Sequence, residues 1–477
     1  MPSLSTDYLI IGAGATGLAF ADTLLQESDA HITLVDLHAQ PGGHWNDAYP
    51  FVALHQPSAF YGVNSLELGT LRKDTAGHNA GLYELASGAE VNGYFHKVMH
   101  QQLVPSGRVR YLPMARHLAH EAGVSSVASI LSGVQSQITV RKKIIDATYF
   151  SPQVPATTPP AFPVADGVRL VTPTQLTQVW QVWQGQERFA NYCVLGAGKT
   201  AMDAVIFLLT SGAAPDQIHW VMPRDSWLVN RLSTQPGEEF FMHSMGGAAA
   251  QMKAIALATS VDDMYERLEA SSQMLRIDRA RKPEMFHYAT ISEGEVALLR
   301  QIKQVIRQGR VQAIEKEALV FAQGKHTMPP HTLFINCTAS AVKPRASEPM
   351  FQSGKIVPQL SRAPLISFSA ALCAYVEAHY ASDEEKNALC TPVPFPRNPA
   401  GFIASTMTNA ANQMRWGQDK ALRAWMRESR LDGFGKLAST VSPNDTEKMA
   451  IFAQLKEYSM GAAMNAKRLM QASAPAN

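Results

Sequence analysis

Cysteine is scarce in this chain. The four in 477 residues, Cys193, Cys337, Cys373 and Cys390, are scattered and form no CxxC pair. That argues against a disulfide framework and against a dithiol relay. Charge is also thin, at 17% of residues, and nearly balanced, with a formal net charge of +2. Neither a nucleic-acid footprint nor a polybasic membrane arm follows from that balance. Apolar runs break off short of a bilayer span. The opening residues lead into a strand-like segment with no basic stretch, apolar core and cleavage site before it, so a cytoplasmic protein is expected. GxSxG, HExxH and Walker sequences are missing, which leaves hydrolases and phosphoryl transfer without a motif. His96 and His100 stand four apart, but no acid or cysteine cluster joins them, and no metal is expected.

Glycine is where the information lies. One turn reads Tyr8-Leu9-Ile10-Ile11-Gly12-Ala13-Gly14-Ala15-Thr16-Gly17; a second reads Tyr192-Cys193-Val194-Leu195-Gly196-Ala197-Gly198-Lys199-Thr200-Ala201. Each is wedged between a strand-like apolar run and a helix-like run. In the first, Gly12 permits the tight turn, Gly14 lets backbone approach a pyrophosphate, and Gly17 lets helix and strand pack closely. The helix then faces the phosphates with unpaired N–H groups. Asp36, ending the next strand, is placed to accept from ribose hydroxyls. In the second turn Ala201 stands where the third glycine would be. Its following strand ends in Arg224, which suits a 2′-phosphate and so NADPH over NADH. Lys199 and Thr200 are the turn's polar candidates. Two such turns imply two dinucleotides and electron traffic between them.

A hydrophobic content of 46% over 477 residues predicts a globular α/β protein of two or three domains. The class expected is two Rossmann-like dinucleotide-binding domains of the three-layer ββα type with helical insertions. Residues 1–165 would be the first part of the FAD domain and 166–330 the NADPH domain. Residues 331–477 would return to the FAD domain and add C-terminal helices. Within this frame a helix is expected near 94–104, a hairpin over 125–145 turning at Ser132-Gly133, and a helical insertion over 246–275. Val296, Leu299, Ile302, Val305 and Ile306 read as one helical stripe. A further strand is expected near 332–339, with C-terminal helices at 419–429 and 445–460.

Just after Asp36 comes Gln40-Pro41-Gly42-Gly43-His44-Trp45-Asn46-Asp47-Ala48-Tyr49-Pro50. This acid, GG-x-W and Y-P run resembles that of class B flavoprotein monooxygenases, the flavin-containing and Baeyer–Villiger enzymes. The resemblance continues through residues 196–203 and through two small turns, Asp146-Ala147-Thr148 and Asn336-Cys337-Thr338-Ala339, which are similar to the family's crossover segments. It implies FAD at the first turn, with Gly42, Gly43, His44 and Trp45 as flavin contacts and Asp47 beside them. It also makes Thr148, Thr338 and Ala339 cofactor neighbours and puts NADPH at the second turn. Two departures stand out. Thr172 occupies the place of the family's fingerprint histidine, and Leu54-His55-Gln56-Pro57 that of its flavin-side asparagine. Gln56 carries the same amide donor as asparagine, and His55 is the next candidate for catalysis.

The family chemistry implied is NADPH-driven oxygenation of a small organic substrate by molecular oxygen through a C4a-(hydro)peroxyflavin. Residues 46–120 and the segment after 344 would then form the substrate cavity, with Asn409, Asn412 and Trp416 in it. The missing histidine keeps an NADPH-dependent flavoprotein reductase or dehydrogenase open as the alternative. A nucleotide-sensing binding protein is a third reading.

Overall fold

Both glycine turns sit at the head of a parallel sheet in the computed structural model, which describes residues 4–181, 189–339, 342 and 345–472. In the first unit, β1 (Leu4–Ile11) runs through the turn into α1 (Ala15–Glu27) and on to β2 (Ile32–Val35). Helix α2 (Gly88–Lys97), β3 (Val109–Leu112) and β4 (Gln135–Asp146) follow. β1 lies between β4 and β2, parallel to both, and β3 lies outside β2. All of β2 is buried, as a strand covered on both faces requires. The expected hairpin forms between Val124–Ser129 and β4, and an unforeseen strand, Ala115–Glu121, extends it.

The second unit repeats this wiring. β5 (Asn191–Leu195) feeds α3 (Lys199–Thr210) and β6 (Ile218–Val221). The insertion then forms α4 (Phe241–Leu257) and Val261–Ala270. The expected stripe of 296–306 splits: α5 covers only Glu293–Leu299, and Gln304–Ile306 is strand β7 beside β6. The apolar spacing was right for both, but Val305 and Ile306 complete a sheet edge. β8 (Thr332–Asn336) pairs with β5 and with Arg169–Val171. The chain then returns to the first sheet, where Lys355–Ile356 joins β4. It ends in α6 (Ile366–His379), α7 (Gly401–Gln418), α8 (Lys420–Glu428), α9 (Gly433–Ser439) and α10 (Thr446–Ala472).

The two units match bond for bond. Gly12 N donates to Val35 O at 2.8 Å, and Gly196 N to Val221 O at 3.0 Å. Ala147 N donates to Ile11 O at 3.0 Å, and Cys337 N to Leu195 O at 2.9 Å. Thr148 bonds its hydroxyl to Asp146 at 2.5 Å, and Thr338 to Asn336 at 2.6 Å. Each crossover therefore lies directly over its glycine turn.

A buried charge network joins the units. Lys199 Nζ bonds Asp203 and, at 3.2 Å, Glu295 Oε1. Arg231 bonds the other Glu295 oxygen, Asn79 Oδ1 at 2.5 Å and the His55 carbonyl at 3.1 Å. Tyr49 of the first unit donates to Asp203 Oδ2 at 2.7 Å, and Phe51 stacks on Phe207 with ring centroids 4.3 Å apart. Burial works to raise the Glu295 pKa, but the charges of Lys199 and Arg231 outweigh it and hold the carboxyl far below its usual range.

Two outcomes follow. A Cβ on Gly17 would lie 1.9 Å from Gly12 O. Gly17→Ala is therefore expected to destabilise the chain by about 3 kcal/mol or more in urea unfolding, because the obstacle is backbone. Arg231→Met leaves a buried carboxylate short of its partner and should cost about 3–5 kcal/mol. Glu295, depressed in the fold, contributes stability that is present above the ordinary carboxyl value of 4.5 and lost as pH falls below it. Unfolding of Arg231→Met should accordingly vary less with pH below that value than unfolding of the unmodified chain.

Candidate cofactor and active site

At the first turn Gly12 adopts φ +101°, and a Cβ there would press on Thr148. A Cβ on Gly43, at φ +58°, would lie 3.0 Å from Gly14 Cα, so the two stretches approach by backbone alone. Gly42 N donates to Ala13 O at 2.9 Å and pins the loop there. Ser87, Ser260, Ser292, Ser382 and Asp419 cap other helices with their side chains. The helices after the glycine turns lack such caps, as do α4, α6 and α7, but among the described residues only these two open from a glycine turn at the end of a parallel strand. Gly14 and Gly198 cap α1 and α3 with no side chain, and neither first turn carries an acid. Their leading N–H groups thus have no side-chain cap, an arrangement that suits a phosphate. Ala15 and Thr16 are half-buried along the first of these openings.

Asp36 is buried at the end of β2. It accepts from Ala13 N at 2.5 Å, His38 N at 2.7 Å and His38 Nδ1 at 3.0 Å. A carboxylate has about four lone-pair sites, so roughly one remains for a ribose hydroxyl. Tyr111, on the neighbouring strand, has a buried hydroxyl with no hydrogen-bond partner among the described residues, and the Asp36 charge reaches it. Carboxylate and orphaned hydroxyl together fit a sugar edge. Trp45 is packed in the core of the first unit, with its indole donating to Tyr61 at 2.7 Å. His44 lies against it, ring centroids 5.2 Å apart, and burial lowers its pKa to about 4.

At the second turn, Gly196 adopts φ +125° while Gly198 has open space where a side chain would be. Ala201 is fully buried against the sheet. Thr200 is half-buried beside Tyr49, and Lys199 is held by the network carboxylates. Arg224 is exposed past the end of β6, with no ion pair among the described residues. Thr338 is exposed and Ala339 half-buried at the crossover.

His55 and Gln56 lie on the loop that Arg231 grips. Burial first, then the Lys199 charge, lowers the His55 pKa to about 4, so the ring is neutral at pH 7. Gln56 donates to Phe60 O at 3.4 Å. A cavity of about 180 Å³ opens beside this loop, lined by Phe51, Leu54, Leu85, Phe207, Arg231 and Glu295 among others. Its walls come from residues 51–85 and from the second unit. The segment after 344, expected to help form the cavity, contributes nothing to this one.

Asn409, Asn412 and Trp416 serve elsewhere. Their side chains bond the backbone of Ala363, of Ser361 and Thr391, and of Leu389, fastening α7 to its loops. Thr172 caps a short helix by bonding Gln175 N at 3.2 Å, and lines a second cavity of about 380 Å³. Arg231, Glu295 and His38 were not singled out from the sequence. The readable signal was Ser292-Glu293-Gly294-Glu295, a capping box whose acid turns into the network. Among the described residues no group of three or more His, Cys, Asp or Glu side chains gathers as a metal site. Nor is any helix among them long and apolar enough to cross a membrane.

Comparison with known proteins agrees with this geometry. Residues 10–64 match the model of an NAD(P)-binding Rossmann-like domain. An uncharacterized protein of Mycobacterium tuberculosis (strain ATCC 25618 / H37Rv) is 41% identical over 440 residues, which is 92% of this chain and 80% of the relative. A Mycobacterium bovis protein, also uncharacterized, matches to the same extent. Among solved structures, the polycyclic ketone monooxygenase of Thermothelomyces thermophila superposes with a TM-score of 0.51 at 13% identity, covering 99% of this chain and 88% of that one. The chain belongs to the family of these mycobacterial proteins; it carries an NAD(P)-binding Rossmann-like domain and shares its fold with the polycyclic ketone monooxygenase.

Proposed function

We propose that this protein is an FAD-dependent, NADPH-using oxidoreductase that oxygenates a small organic substrate with molecular oxygen. One observation carries the reading. Two bond-for-bond equivalent glycine turns open onto helices without side-chain caps, in units joined by a single buried charge network. The fold shared with a polycyclic ketone monooxygenase supports the same direction. In this reading residues 1–165 and 331–477 make up the FAD unit around an NADPH unit of 166–330. The return of Lys355–Ile356 to the first sheet supports that division.

Gly12, Gly14, Ala15, Thr16 and Gly17 cradle the FAD pyrophosphate, Asp36 holds the ribose, and Gly43, His44 and Trp45 lie towards the flavin. Gly196, Gly198, Lys199 and Thr200 form the NADPH cradle, Arg224 meets the 2′-phosphate, and Thr148, Thr338 and Ala339 border the two sites. The flavin supplies hydride acceptance and oxygen chemistry. The protein supplies position and a site shielded from water. The neutral His55 ring and the Gln56 amide are, in this reading, the candidates to act on the reacting atoms.

A flavoprotein reductase or dehydrogenase is the second reading, favoured by Thr172, which is occupied in capping where the family places a histidine. Stopped-flow spectra of the NADPH-reduced protein mixed with oxygen separate the two. A slow return to the oxidised spectrum, with hydrogen peroxide released only as that spectrum returns, is expected for the oxygenase. Immediate return with stoichiometric peroxide overturns it in favour of the reductase. A purified protein that neither carries nor binds flavin overturns both.

The nicotinamide preference has its own check. Arg224→Ala removes one charge-assisted contact, worth about 1.5–3 kcal/mol. The KM for NADPH should rise about tenfold or more, with little change for NADH; equal effects on both would refute the assignment of Arg224.

A further inference from the structure

His38 stands two residues past Asp36 and bridges two carboxylates. Its Nδ1 lies 3.0 Å from Asp36 Oδ1 and its Nε2 lies 2.8 Å from Asp47 Oδ2. Asp36 in turn holds Ala13 N, inside the glycine turn. Asp47 ends the short helical turn Gly43–Asp47, which begins at the residue pressed against Gly14. One imidazole thus links both sides of the opening into which α1 presents its N–H groups.

We propose that His38 is a positioning residue for the dinucleotide at the first turn, its doubly protonated ring clamping the Gly43–Asp47 turn to the end of β2. This rests on the reading of that turn as the FAD site. Both contacts are hydrogen bonds to a carboxylate only when the ring carries both protons. A neutral imidazole has one N–H and one lone pair, so one carboxylate would lose its donor and face the lone pair instead. The hydrogen bond to Asp36 is the largest influence on the ring; burial opposes it, Asp47 adds to it, and the pKa rises to about 9.

The surrounding groups do not confuse a titration in this range. Asp36 closes β2, Asp47 and His44 belong to the helical turn, and Tyr111 comes from β3. His44, lowered by burial to about 4, stays neutral, and Tyr111, raised by burial, stays protonated. A clamp with a raised pKa is fully formed below the ordinary histidine value of 6.5 and is lost as pH climbs through about 9.

The test is titration of the flavin-free protein with FAD, read by flavin fluorescence between about pH 7 and pH 9.5. Binding by the unmodified chain should weaken about threefold or more across that range, following loss of the ring proton. His38→Ala should bind about tenfold more weakly at pH 7 and show a flat profile. Asp47→Asn, which removes one of the carboxylates that hold the proton, should move the break to lower pH. NADP⁺ affinity at the second turn reports whether each variant is folded. Should His38→Ala fail to fold, the profiles of the unmodified chain and Asp47→Asn decide the matter. Tight, pH-independent FAD binding by a folded His38→Ala, or a flat profile in the unmodified chain, overturns the clamp and leaves the flavin site standing. Failure of the unmodified chain to bind FAD at pH 7 overturns both.

Discussion

Everything else in this molecule depends on four charges removed from water together. Lys199 and Arg231 balance Asp203 and Glu295 at the junction, and their bonds close onto Tyr49, Asn79 and the His55 carbonyl of the first unit. Each β–α–β unit has its own apolar core. Apolar packing alone would let the two cores meet at many angles, because it carries little direction. Charge-assisted hydrogen bonds of fixed reach are intolerant of misalignment, since any separation strands an ion where water cannot solvate it. The network therefore acts chiefly to select one arrangement of the units, and net stability is a lesser part of its role.

The repetition of one bonding scheme makes the differences between the units informative. Gly17 is forced by a backbone oxygen, whereas its counterpart in the second unit, Ala201, keeps a fully buried methyl group. Past β2 the chain places a buried acid already committed to the turn. Past β6 it places an exposed arginine with no ion pair among the described residues. A buried acid with roughly one acceptor site left suits a neutral sugar hydroxyl, and an exposed guanidinium suits a doubly charged phosphate. The same cradle is thus given chemically opposite ends in the two units.

Much of this was legible in the sequence. The glycine turns, Asp36, Arg224 and the crossovers are read by nearest-neighbour rules, because each depends on residues a few positions apart. The hairpin over Val124–Ser129 and β4 was visible from its alternation and its Ser132-Gly133 turn. Helix α6 was not, because residues 367–377 are all buried. An element apolar on every side has no stripe to detect. The network escaped for a different reason. Lys199 and Glu295 are 96 positions apart, and nothing local in either marks the other as its partner. His38 carries no local mark of its role either, because Asp47 reaches its far side only through the fold.

The segment after 344 was expected to wall the cavity, yet its side chains act as fasteners, and this bears on how the loop of His55 and Gln56 is held. Arg430, between α8 and α9, donates to the carbonyls of Ala59, Tyr61 and Val63 and to the Tyr94 hydroxyl at 2.7–3.2 Å. Arg362 pairs with the buried Asp432, and Phe60 packs on Phe434 with ring centroids 4.9 Å apart. From the opposite side Arg231 takes the His55 carbonyl. The loop carrying His55 and Gln56 is thus gripped at both ends by guanidinium groups on backbone oxygens. These grips are indifferent to the side chains the loop displays. The side chains at positions 55 and 56 can therefore change, to the histidine and glutamine found here, while the loop keeps its path. That separation of backbone anchoring from side-chain chemistry is what allows Leu54-His55-Gln56-Pro57 to depart from the family pattern inside a fold that does not.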